Sequence, residues 1–142
     1  MAIDHPKAGP NSIPAYQMSG VPYVTGSVAN EVPGSGNALK LEFPFVTRFF
    51  QIRNTDTTHG LRVGFTNHGV KGTYTKNYFV LTASQKSEVL EIRTKELYFY
   101  ADSGASNPVS YEVLAGLTTI DRGQFPTLTG SIDYVTAFEG VG

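Results

Sequence analysis

Between Ala38 and Thr66 large apolar side chains recur at every second position, in three successive runs. Leu39, Leu41, Phe43 and Phe45 come first, with Lys40 and Glu42 between the first three. Phe50 and Ile52 follow against Gln51 and Arg53. After a polar loop, Asn54 to Gly60, come Leu61, Val63 and Phe65, with Arg62 pointing the other way. Successive side chains of a strand point to opposite faces, so each run has one apolar face and one wet face. Three such segments in so short a stretch predict antiparallel sheet laid over a core.

The remaining chain continues in the same manner. Residues 1–20 are rich in Pro, Ser and Asn and read as an extended N-terminal arm. A first strand is expected over 21–28, with Pro22 marking it as an edge or a strand start. Pro33 to Asn37 is a turn. After a loop from Asn67 to Asn77, strands are expected over 78–83, 87–94, 97–101 and 109–117. The apolar phase slips between Ile92 and Leu97, which places a tight turn or bulge at Lys95-Glu96. Ser84 to Leu97 is rich in Glu, Lys, Gln and Leu, so propensity leaves a short helix open there. Alternation and the β-branched Val89, Ile92 and Thr94 favour sheet. Residues 121–142, punctuated by Gly123, Pro126, Gly130 and Gly140, read as a C-terminal arm with a strand at 132–137. The body is then 21–120, within a single 142-residue domain. The expected fold is all-β: one eight-stranded antiparallel jelly roll, a β-sandwich, with extended arms at both ends.

Chemistry is hard to find in this pattern. There is no cysteine, which removes disulfides and thiolate metal sites. Eleven basic residues are scattered singly among twelve acidic ones, which argues against the broad positive field of a nucleic-acid partner. The first residues lack the charged start and apolar run of a signal peptide, and Ala8 to Asn30 is too polar and proline-rich to span a bilayer. Of the three histidines, His5 lies in the leader, while His59 and His68 flank the strand at Leu61 to Thr66. That strand separates its ends by roughly 20 Å, too far for a shared metal. Asp56 and His59 can meet in one loop, and Ser103 and Ser106 flank Gly104 in another. No Gly-x-Ser-x-Gly elbow accompanies them. The glycines at 34 and 36 lack the lysine of a phosphate loop. No catalytic residue, cofactor site or metal site is therefore expected.

Surface features carry more information. Arg53 and Arg62 are expected on one outward face of paired strands, where like charges repel unless a partner intervenes. Eight tyrosines and nine phenylalanines exceed the needs of one small core. Tyr16, Tyr74, Tyr98, Tyr100, Phe125, Tyr134 and Phe138 fall outside the inward-facing sets. Aromatic residues are enriched at protein interfaces, so Tyr16, Tyr98, Tyr100, Phe125, Tyr134 and Phe138 are the candidate contacts to another chain.

Phe43-Pro44-Phe45-Val46-Thr47-Arg48-Phe49-Phe50, Leu61-Arg62-Val63-Gly64-Phe65, Leu90 to Tyr98 and Ala115-Gly116-Leu117-Thr118 together resemble single jelly-roll capsid proteins of large icosahedral double-stranded DNA viruses. The likeness is to the vertex (penton) proteins of viruses infecting algae, and it covers 22–120 in strand order and flavour. It implies a non-enzymatic virion protein, folded in host cytoplasm or nucleus. Such a chain would close into a pentamer at the fivefold vertex and touch neighbouring major and minor capsid proteins, with no cofactor, nucleic acid or membrane span. A cement protein between capsomers would need the same fold and arms without a ring. A small glycan-binding β-sandwich would instead use Tyr98 and Tyr100 as stacking platforms. Removing residues 1–18 or 122–142 is expected to leave a folded body with weakened assembly, checked by circular dichroism and native mass on the two truncated chains.

Overall fold

The computed structural model describes residues 20–27, 31–72, 76–102 and 108–128. Seven strands appear among them: β1 (Val21–Gly26), β2 (Leu39–Glu42), β3 (Phe45–Asn54), β4 (Leu61–Gly64), β5 (Tyr78–Leu81), β6 (Glu96–Ala101) and β7 (Tyr111–Asp121). They form two antiparallel sheets, ordered β1-β7-β3 and β2-β6-β4-β5. The result is an all-β sandwich. Residues expected to face inward do so on both sheets. Phe50, Ile52, Val113, Ala115 and Leu117 of one sheet and Leu41, Leu61, Val63, Leu97 and Phe99 of the other join one buried cluster. Phe99 stacks on Tyr111 with ring centroids 4.7 Å apart, and Tyr23 meets Phe43 edge-on at 5.2 Å. Offset and edge-on pairs of this kind add to the area they bury.

The first four strands change sheets at each step. β2, β3 and β4 alternate between the two layers, so the three runs that open the sequence pattern do not form one sheet. Arg53 and Arg62 are therefore on opposite outer faces, contrary to the expectation that they share one. Each has its own carboxylate, Glu112 at 3.9 Å and Asp102 at 2.7 Å.

The segment expected as a strand over 87–94 is neither strand nor helix. It touches β3 through isolated bridges, Phe50 with Leu90 and Arg53 with Lys86. Side chains fill the intervals. Thr47 Oγ1 donates to Ile92 O at 2.9 Å and accepts from Thr94 N at 3.0 Å. Ser87 Oγ accepts from Ile52 N at 3.0 Å, and Gln51 Nε2 donates to Ser87 O at 2.9 Å. Ile92, expected inside, is 40% exposed because this edge peels away from the core. The slip at Lys95-Glu96 is the crossing into the other sheet, and β6 begins there. A second irregularity lies in β3, whose register against β7 shifts twice between Phe45 and Phe49. Those shifts bury Val46 and Thr47 together.

One helix was not anticipated. Residues Asn67–Lys71 form α1, capped by Thr66, whose Oγ1 accepts from Gly69 N at 3.0 Å, and stopped by Gly72 at φ +70°. It places His68 in a helix rather than a loop. Val70 is buried against Gly64, where an added Cβ would lie 2.9 Å from Val70 Cβ. Phe79 lies on the inner face as expected but stays 36% exposed, since β5 is the sheet's outermost strand.

Asn54 ties the far end of the sandwich together. Fully buried, it donates from Nδ2 to His59 O, Leu81 O and Thr82 O at 2.8, 3.1 and 3.1 Å, and its Oδ1 accepts from Asp56 N at 2.9 Å. Removing the amide would take this partner from three carbonyls and one N–H, of which Thr82 O keeps a second donor, Gln85 N at 3.0 Å. Each unsatisfied buried group costs about 1–3 kcal/mol when water cannot replace the partner. Asn54→Ala is expected to lower unfolding free energy by about 2–4 kcal/mol in a denaturant titration; a change under about 0.5 kcal/mol would refute this role.

Candidate interaction surface

The outer face of β2-β6-β4-β5 is closed by paired charges. Glu96, its side chain only 6% exposed, lies between Lys40 at 3.2 Å and Arg122 at 3.4 Å. Both cations also reach Glu42, Lys40 at 2.7 Å and Arg122 at 3.4 Å. Two carboxylates and two cations thus alternate in a neutral ring. Exposed pairs in such a ring contribute about 0–1 kcal/mol each. Glu96 differs, because a buried carboxylate deprived of its cations is strongly destabilising. Arg122 belongs to a 3₁₀ turn, Arg122–Gln124, directly after β7. Lys95 holds the chain beyond it, donating from Nζ to Phe125 O at 3.2 Å and Thr127 Oγ1 at 2.8 Å. The start of the C-terminal stretch is therefore bound to the body.

Tyr98 sits between this ring and α1. Alternation points it outward, yet it is 7% exposed, opposite Lys40 on one side and Gly64 on the other. Burial, then the neighbouring Glu96 carboxylate, push its phenol above the ordinary value. Its expected role as an exposed contact or stacking platform is corrected by that burial. Tyr100 is half-buried and its hydroxyl donates to Gly34 O at 2.8 Å. The Arg62 guanidinium lies 5.8 Å from its ring and 4.5 Å from that of Tyr78, while donating to Asp102 and to Lys71 O. Phe125 is half-buried. Tyr16, Tyr74, Tyr134 and Phe138 lie outside the described residues, as do His5, Ser103 and Ser106.

Asp56 and His59 do meet, at 3.3 Å. The carboxylate serves the loop, accepting from Thr58 N and His59 N at 2.7 Å each and from Thr58 Oγ1 at 3.1 Å. Burial opposes its ionisation, but the two backbone N–H groups outweigh this and bring the carboxyl below its ordinary value. Among the described residues no three His, Cys, Asp or Glu side chains stand close enough to hold a metal, and no helix there is long and apolar enough to cross a membrane.

The opposite outer face, on β1-β7-β3, is different in kind. Strand register sets Val24, Leu114 and Gln51 side by side, with Gly26, Glu112 and Arg53 as the next row. Val24 is 74% and Leu114 46% exposed. They flank an open groove of about 620 Å³ that runs to Arg53, Lys86 and Glu112. Gly26 supplies part of its lining without a side chain. An apolar strip edged by charges, on the outside of a sheet, has the anatomy of a contact surface. Sequence reasoning missed it because Val24 and Leu114 read as ordinary strand residues. No protein-family model, curated protein or solved structure matches this chain.

The charge ring yields a pH dependence. The hydrogen bond from Lys40 holds the Glu42 carboxyl below its ordinary 4.5, so its stabilisation is present above pH 4.5 and fades as pH falls through the depressed value. The same bond pushes Lys40 up to about 12, so its stabilisation is full below pH 10.5 and is lost as pH climbs through about 12. Glu42→Gln is expected to flatten both flanks of a plot of unfolding midpoint against pH. Superimposable profiles for the two proteins would exclude the ring as their source.

Proposed function

We propose that this chain is a structural virion protein, a single jelly-roll vertex component that assembles into pentamers and docks on neighbouring capsomers. The observation that carries the reading is strand order. β1-β7-β3, with 86–94 lying along the outer edge of β3, faces β2-β6-β4-β5. Counting that segment as an eighth, irregular strand gives an order that supports a reading as two interlocked Greek keys, the arrangement of a jelly roll. The sequence resemblance to vertex capsid proteins follows the same segments in the same order.

Two surface features support assembly over catalysis. The apolar groove on β1-β7-β3 offers uncovered hydrophobic area, and the opposite outer face is charged. A contact patch carried on one outer face suits a heterologous, head-to-tail contact, which closes into a ring when the rotation permits. The glycan-binding alternative loses Tyr98 as a platform, because that ring is buried.

Sedimentation analysis across a range of concentrations tests the reading. A species of five chains, each 15.4 kDa, is expected. A monomer at every concentration, or a ring of another number, would overturn the pentameric vertex role.

A further inference from the structure

We propose that the groove on β1-β7-β3 receives residues 129–142 of a second copy of this chain. This rests on the self-association reading above and supplies its contact.

Charge selects the occupant. The groove carries two cations, Arg53 and Lys86, against one carboxylate, Glu112. Arg53 and Glu112 are each 60% exposed and only 3.9 Å apart, so they neutralise each other in part and leave Lys86 in excess. Of the two terminal stretches outside the described residues, 1–19 holds Asp4 and Lys7, which cancel. The stretch 129–142 holds Asp133 and Glu139 with no Lys or Arg. Opposite charge at the rim of a contact steers association and suppresses wrong partners.

Hydrophobic pattern agrees with charge. Ile132, Tyr134 and Phe138 stand at even spacing, so an extended chain presents them on one side. That side matches the exposed Val24 and Leu114. The acidic Asp133 and Glu139 fall at the alternate positions, within reach of long basic side chains at the groove margin.

Chain length favours another copy as the donor. Thr127, next to Leu128, is tied to Lys95 at the Asp121 end of the sandwich, whereas the groove lies at the Glu112 end. Leu114 and Asp121 are seven residues apart on β7, roughly 23 Å. Tyr134 stands six residues past Leu128, at most about 21 Å of extended chain. To bring its own Tyr134 to its own Leu114, a chain would have to run straight and fully extended from Leu128, a demand that a neighbour's arm does not face.

The absence of cysteine makes cross-linking a clean test on the full chain. Leu114→Cys protein is mixed with Tyr134→Cys protein under mild oxidation, and disulfide-linked pairs are counted over time. Lys76→Cys, at an exposed position beside the other sheet, replaces Leu114→Cys as control, and Val24→Cys serves as a second groove position. Mixed pairs are expected to form at least tenfold faster at Leu114 and Val24 than at Lys76. Asp133→Lys with Glu139→Lys should slow them, and Arg53→Glu with Lys86→Glu should restore the rate. Equal rates at all three positions would overturn the inference. So would an internal disulfide in a Leu114→Cys/Tyr134→Cys double variant, because the donor would then be the same chain. The native mass of the unaltered protein separates the two readings. A five-chain species without the cross-link sinks the groove alone, whereas the cross-link without a ring sinks the pentamer alone.

Discussion

The backbone of β3 needs hydrogen-bond partners along both edges, because nearly all of its residues are buried or half-buried. One edge is met by a ladder to β7. The other is met by a segment that never becomes a strand, in which Thr47, Gln51 and Ser87 side chains complete what backbone groups leave undone. Asn54 finishes the same strand at its end. With these groups in place no buried side-chain nitrogen or oxygen among the described residues lacks a partner. Everything packed on β3, including Phe50 and Ile52 at the centre of the core, depends on that closure.

This arrangement explains which parts of the fold could be read from the sequence. Period-two alternation located β2, β3, β4, β6 and β7 because each buries one face, and burial selects side chains residue by residue. It could not assign strands to sheets. Phe43 leads into β3 after a single proline, and nothing local reveals that the chain has changed layers there. The segment 86–94 was misread for a related reason. Its β-branched residues satisfy strand propensity, but its backbone bonds to β3 are interrupted, with the side chains of Thr47, Gln51 and Ser87 in the gaps, which propensity does not describe. Thr66 and Gly72 cap and stop the helix, but the five residues between them carry no apolar period, so the segment reads as a loop.

The site residues divide along the same line. Tyr98 alternates with Leu97 and Phe99 and so reads as outward, which it is. Its cross-strand neighbours come from elsewhere in the chain, Lys40 on one side and Gly64 on the other, and Glu96 with its cations stands two residues along the strand. Exposure is a property of the whole surface, and a strand pattern reports only direction. The groove inverts that case. Val24 and Leu114 also point outward, and there the surroundings leave them uncovered. Identical sequence signals thus end as a buried phenol on one sheet and an apolar strip on the other.

Gly20 N donates to Leu117 O at 2.9 Å, and Val21 is opposite Leu117. The points where the chain enters and leaves the sandwich therefore stand within a few residues of one another at a single pole. The loop at 55–60 and the turn at 82–85 crown the opposite pole, linked by Ser84 N to Asp56 O at 2.8 Å. A short linker could join the first pole and new ends be opened at the second, turning the body inside out in sequence while leaving both sheets intact. Such circular permutation is open to a fold only when its entry and exit converge, and here two adjacent strands bring them together.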